Sequence, residues 1–363
     1  MRVYVQKPWR VSDCASYKLL KENPPEEVTY LNMGASNLIQ NKKSLSVNNF
    51  IKKTVKKTLL KIYPNMPNAH KAPLGNYDLI HCEHCLLKNN FPWIVNIEYL
   101  GQFWATGAVP KKLHREKILR ILESSNCKKI ITWTEWARQE IIKLFPEIEE
   151  KVETVYPGIP FTKIKKQTRK AGKIRLLFVS RSFYFKGGLY AVEVMDRLTK
   201  KYPNVEALVV SDVPKEILNK YSVNNKIKFL GMIPQKKLLD EIYPSSDIFV
   251  YPSFTDTFGF AIIEAMGFGL PVVSVGGHSR KELIEDGKTG YVIENPFGDT
   301  ITMEDLEKLN IQTVKNLERK VEDLVLKKDL RNEMSFNCKK IVQDGKFSID
   351  KRNKRLNEIY KGA

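Results

Sequence analysis

From Ile174 to Ser253 short apolar runs alternate with helix-like runs, and that alternation restricts the fold more than any other feature. The runs are IRLLFVS (174–180), VEALVVS (205–211), IKFLG (227–231) and DIFVYPS (247–253). Between them lie helical patterns from about Gly188 to Lys201, around 214–220 and around 235–243. Unbroken apolar runs of this length suit strands covered on both faces, and their alternation with helices predicts parallel α/β layers. The first half repeats the pattern, with strands expected at Arg2–Val5, Val28–Asn32, Leu79–Cys82, Trp93–Glu98, Ile130–Thr134 and Thr154–Tyr156. Thr134 is placed to cap a following helix, EWARQEIIKLF. Residues 158–173, GIPFTKIKKQTRKAGK, carry many charges and little apolar periodicity, so they read as a linker between two Rossmann-like halves. The expected organisation is a first domain over 1–160, a linker over 161–173 and a second domain over 174–343.

A chain of 363 residues with 42% hydrophobic content can build two cores, which excludes disorder as the default. Its apolar runs are far shorter than the roughly 20 residues that span a bilayer, and MRVYVQKPW lacks the apolar stretch of a secretory signal, so a cytoplasmic location is expected. Five scattered cysteines fit reduced thiols. HCEHC at 81–85 has no second Cys/His pair at zinc-finger spacing, and reads as the polar carboxyl end of a buried strand rather than a metal site. The formal charge of +19 favours anionic partners: nucleic acid, anionic lipid or phosphorylated substrates. No zinc knuckle, ribonucleoprotein motif or helix-turn-helix pattern supports nucleic acid. Phe50–Tyr63, FIKKTVKKTLLKIY, wound as a helix places Phe50, Ile51, Val55, Leu59 and Ile62 opposite Lys52, Lys53, Lys56 and Lys57. That face suits either packing on a sheet or contact with an anionic membrane surface.

Two segments of the second half carry chemistry. After IRLLFVS come Arg181, Lys186 and a Gly187-Gly188 entry to a helix, a strand end with two cations five residues apart. Arginine offers a fixed fork, lysine a mobile point charge, and glycines let backbone approach phosphate oxygens. In YPSFTDTFGFAIIEAMGFGLPVVSV (251–275) Asp256 and Glu264 flank Phe258-Gly259-Phe260, where backbone N–H groups at a helix start face an anion. Glu264 is placed to accept from ribose hydroxyls, and Asp256 from hydroxyls of an attached sugar.

The ordered set SRSFYFKGG, IKFLGMIP, SSDIFVYPS, the two acids eight residues apart and GLPVVSVGGHSRKELIEDGKTGYVI resembles the donor domain of retaining GT-B glycosyltransferases of family 4, the glycosyl transferases group 1. The resemblance covers roughly residues 174–294. It implies two Rossmann-like domains with parallel sheets facing across a cleft, and a closing helix over 344–363 that crosses back to the first domain. It also implies that Arg181 and Lys186 bind the donor diphosphate, Glu264 holds the ribose, and Gly231-Met232 touch the base. The first acid of the family motif is usually Glu; here it is Asp256. No cofactor is implied beyond a nucleoside diphosphate sugar, UDP- or GDP-linked, and the family works without a metal.

The first half resembles the family loosely. Glu98 stands at the end of IVNIE where many members carry a cleft histidine, and a carboxylate there orients or deprotonates an acceptor hydroxyl. QKPWRVSDC replaces the glycine-rich loop expected after the first strand, and residues 294–313 look like an insertion of unread role. The expected activity is transfer of a sugar to an acceptor hydroxyl with retained configuration, the acceptor being a glycan or lipid-linked glycan. A sugar-nucleotide epimerase and a non-catalytic sugar-nucleotide or nucleic-acid binding protein are the competing readings.

Overall fold

A computed structural model describes residues 1–7, 15–33, 62–160, 172–298 and 301–363, with positions 55 and 58. The chain forms two compact units, one of Met1–Gly158 with Ile349–Ala363 and one of Ile159–Ser348.

The first unit is built on a six-stranded sheet, β1 (Arg2–Gln6), β2 (Thr29–Leu31), β4 (Leu79–Glu83), β6 (Trp93–Ile97), β7 (Cys127–Thr132) and β8 (Val152–Thr154). The spatial order is β2-β1-β4-β6-β7-β8, and every pairing is parallel. A short pair, β3 (Ala69–His70) with β5 (Leu86–Leu87), stands apart from it. β4 and β6 are buried along their whole length, as strands covered on both faces must be. Thr134 caps the helix Glu135–Leu144, its side chain accepting from the Ala137 N–H at 3.1 Å. The strand expected at Thr154–Tyr156 lies two residues earlier, because pairing of Ile130 with Val152 sets its register. The helix Ile349–Gly362 closes this unit, with Leu356, Ile359 and Tyr360 packed among Val3, Leu79, Ile94 and Ile131.

The second unit holds β9 (Ile174–Val179), β10 (Val205–Val210), β11 (Ile227–Phe229), β12 (Ile248–Tyr251), β13 (Val272–Val275) and β14 (Gly290–Ile293). The order is β11-β10-β9-β12-β13-β14, again all parallel. The chain runs outward from β9 in one direction, then restarts beside it at β12, so the topology switches between those two strands. In open α/β sheets ligands meet the carboxyl ends of the strands at such a switch point. The helix Gly188–Lys201 follows β9 and Phe260–Gly267 follows β12. The helix expected around 235–243 is one α-turn, Gln235–Lys237, continued by the wider π-turn Leu238–Ile242.

Residues 50–54, 56–57 and 59–61 of the basic helical segment, the linker residues 161–171, and 8–14 of QKPWRVSDC lie outside the described residues. Among the described residues no helix is long and apolar enough to cross a membrane, and no group of three or more His, Cys, Asp and Glu is arranged to hold a metal. Cys82, Cys85, Cys127 and Cys338 are free and buried.

Candidate active site

The two loops at the switch point of the second unit are the ones in which the sequence concentrates its charge. Leaving β9, the chain makes a tight turn held by Ser180, whose hydroxyl accepts from the Ser182 N–H at 3.0 Å. Arg181 stands exposed on this turn and makes no hydrogen bond or ion pair with a described residue. Lys186 ends a single 3₁₀ turn, and Gly187 then reverses the backbone at φ 71° to start the helix Gly188–Lys201. Only glycine fits there: a Cβ on Gly187 would sit 2.0 Å from the Pro252 carbonyl oxygen at the end of β12. The two loops are thus in direct backbone contact.

Lys186 reaches across that contact, its Nζ 3.0 Å from Oδ1 of Asp256. The other carboxylate oxygen, Oδ2, accepts from the Tyr251 hydroxyl at 2.8 Å. Burial drives the Asp256 carboxyl upward, yet the charges of Arg280 and Lys186, with the hydrogen bonds from Lys186 and Tyr251, outweigh it and hold it below its ordinary range. Tyr251 is pushed well up, first by burial and then by the adjacent Asp256 charge, so it stays a donor.

Gly259 forms the N-cap of Phe260–Gly267 with φ 80° and no side-chain cap. The Ile262 N–H returns to the Gly259 carbonyl, closing the first turn of that helix. One turn on, Glu264 is half-buried, with Oε1 accepting from Gln235 Nε2 and Oε2 from the Tyr243 hydroxyl, both at 3.1 Å. Burial, then the Glu264 charge, push Tyr243 well up as well. Gly231 (φ 62°) and Met232 are exposed on the turn after β11, which leads into the Gln235 turn. Arg181, Lys186, Asp256, Gly259 and Glu264 therefore all stand at the carboxyl ends of β9 and β12 in one unit, and Gly231-Met232 adjoin them through Gln235.

Glu98 belongs to the other unit. It follows β6, half-buried, with its N–H bonded to the Gln102 side chain at 2.8 Å. The polar run read as a strand end at 81–84 is more deeply buried than expected. Glu83 accepts from Asn96 Nδ2 at 2.7 Å, and His81 Nδ1 lies 2.7 Å from the Tyr360 hydroxyl. Burial pushes His81 down to about 3, with Asn96 opposing and the Arg352 charge reinforcing.

Sequence reasoning missed Arg280. It sits at the start of the short helix Arg280–Leu283, is fully buried, and donates through Nη2 to the Asp256 main-chain oxygen. Nothing local announces it, because GGHSRKELIEDG reads as a charged surface loop.

Residues 160–340 match the family described as glycosyl transferases group 1. That stretch is just under half of the chain, and the match supports a transferase enzyme. An uncharacterized glycosyltransferase of Methanocaldococcus jannaschii is 26% identical over 322 residues, 80% of this chain and 76% of that protein. D-inositol 3-phosphate glycosyltransferase of Nocardia farcinica is 22% identical over 62% of this chain and 57% of its own. Two further relatives are matched over only 50% and 40% of their length. The fold matches solved GT-B glycosyltransferases. The Anabaena protein HepE in complex with UDP superposes at a TM-score of 0.64 with 15% identity, each chain covered fully. WaaG, a glycosyltransferase involved in lipopolysaccharide biosynthesis, superposes at 0.59 with 14% identity over the full length of both. The matched stretch thus contains the switch-point loops and every candidate donor residue named above.

Proposed function

We propose that the protein transfers a sugar from a nucleoside diphosphate to an acceptor hydroxyl with retention of anomeric configuration. The observation that carries this reading is the meeting of two loops at one switch point, one bringing Arg181 and Lys186, the other an uncapped helix start at Gly259 with Glu264 a turn beyond. Negative charge that builds on a departing diphosphate finds two cations and the positive end of a helix there. Arg181, which pairs with no described residue, is placed to fork onto phosphate oxygens. Glu264, steadied by Gln235 and Tyr243, accepts from ribose hydroxyls, and Gly231-Met232 lie beside it for the base.

Asp256 is engaged by Lys186 and Tyr251, so its main duty in this reading is to hold Lys186 in place; a sugar hydroxyl meets it only as a further partner. Glu98 remains the acceptor-side carboxylate by its family position. UDP- and GDP-linked donors are favoured, and metal is not required by any residue assigned here. The HepE complex with UDP supports the choice of donor class by similarity of fold.

A glycan, lipid-linked or presented at an anionic membrane surface, is the favoured acceptor. The support is the basic segment 50–63, in which Val55, Ile62 and Tyr63 are exposed at 40%, 59% and 62%. Sedimentation with phosphatidylglycerol vesicles that is unchanged by Lys52, Lys53, Lys56 and Lys57→Glu would remove the membrane part of the reading.

The donor is tested by thermal shift with UDP-, GDP-, ADP- and dTDP-sugars, since a ligand that binds only the folded state stabilises it by mass action. Stabilisation by one of them, lost in Arg181→Ala and Glu264→Ala, is expected; no stabilisation by any would overturn the proposal.

A further inference from the structure

Lys186 cannot serve a diphosphate and Asp256 equally at once. Its ammonium lies 3.0 Å from Asp256 Oδ1, and a phosphate that takes it leaves a largely buried carboxylate with one remaining donor, the Tyr251 hydroxyl. Removing one partner of a buried charge is costly unless another replaces it. Arg280 stands where a replacement is needed. Its side chain is fully buried, its Nη2 is fixed on the Asp256 main-chain oxygen, and its Nε and Nη1 have no hydrogen-bond partner among the described residues. An unsatisfied buried guanidinium is rare and calls for a cause. Nη1 and Asp256 Oδ2 flank the same point beside Gly259, lying 2.8 and 3.2 Å from where a Cβ on that glycine would stand.

We infer that Arg280 is a positioning residue that takes over the Asp256 carboxylate when the donor diphosphate draws Lys186 away. The inference rests on the proposed donor reading and adds to it a reserve counter-charge. In the empty site Lys186 pairs directly with the Asp256 carboxylate, while Arg280 adds its charge from nearby and holds the main chain of the turn. With a diphosphate bound, Lys186 swings to phosphate oxygen, Arg280 offers its spare N–H groups to Asp256, and the loop Asp256–Gly259 keeps its shape. No bond is made or broken; one ion pair is exchanged for another. The groups facing Asp256 are Lys186 from the turn after β9, Tyr251 from β12, Arg280 from its own short helix and, beyond Tyr251, Glu264.

The test is a double-variant cycle read by titration calorimetry. Wild type, Arg280→Met, Lys186→Ala and the double variant are titrated with UDP, GDP, ADP and dTDP at pH 7.5, the tightest wild-type ligand being used thereafter. Arg280→Met is expected to weaken binding about tenfold in the wild-type background and hardly at all in Lys186→Ala, where no ammonium leaves Asp256. Should Arg280→Met fail to fold, Arg280→Lys, which keeps the charge but loses the fork, is read in the same cycle with a smaller loss. An equal loss in both backgrounds, or no loss in either, overturns the inference while leaving the donor reading intact. Failure of wild type to bind any of the four diphosphates overturns both.

Discussion

Lys186 and Asp256, from loops that follow different strands, form an ion pair at 3.0 Å across the switch point of the second sheet. The pair explains how a lysine on a short turn is held ready beside a helix start, and it sets what substitutions there should do.

Lys186→Ala removes the mobile charge but leaves Asp256 with Tyr251 and Arg280. Affinity for a nucleoside diphosphate should fall about tenfold or more, the worth of one charge-assisted hydrogen bond. Calorimetry reads the loss, and near-UV circular dichroism should match that of wild type.

Glu264→Gln keeps the shape of the side chain and the contacts from Gln235 and Tyr243 can re-form, but its charge is gone. Loss of roughly 10- to 100-fold in kcat/KM is expected, together with a reduced preference for ribose over 2′-deoxyribose diphosphates. Unchanged sugar preference would remove Glu264 from the ribose.

Gly187→Ala tests the contact between the loops. Its Cβ would overlap the Pro252 carbonyl oxygen at a backbone angle that alanine resists. A cost of about 3 kcal/mol is expected, which for a unit of this size lowers Tm by roughly 6–12 °C. Scanning calorimetry decides.

His81 makes stability depend on pH in the first unit. Its pKa is about 3 in the folded chain and near the ordinary 6.5 when unfolded, so the unfolded state binds the extra proton. Stability from this group is fully present above about pH 6.5 and lost as pH falls from there toward 3. Melts of His81→Asn between pH 7.5 and 4.5 should show a shallower acid slope than wild type; equal slopes would refute the assignment.

The architecture of the second unit was legible because its strands are continuous apolar runs whose identity owes nothing to distant residues. IRLLFV, VEALVV and IFVY became β9, β10 and β12, and the helix over Gly188–Lys201 began where Gly187-Gly188 permitted. The charged loops were legible for the same local reason. What they bind to each other was not. The sequence reading offered Asp256 to a sugar and Lys186 to a phosphate, and only the tertiary approach of two loops makes them partners. Arg280 was hidden more completely, since its burial depends on a glycine and a carbonyl contributed by another loop. In the first unit the network of His81, Glu83, Asn96 and Tyr360 joins residues up to 279 positions apart, beyond any local pattern.

That last connection has a consequence for synthesis. The hydroxyl of Tyr360 meets both Tyr30 and His81, and its helix supplies part of the core beneath β1, β4, β6 and β7. Residues 1–158 leave the ribosome first, yet their hydrophobic surface stays incomplete until the entire second unit has been translated and residues 349–362 arrive. The second unit can mature during elongation, whereas the earlier one must wait, making it the stage at which a nascent chain most needs chaperone protection.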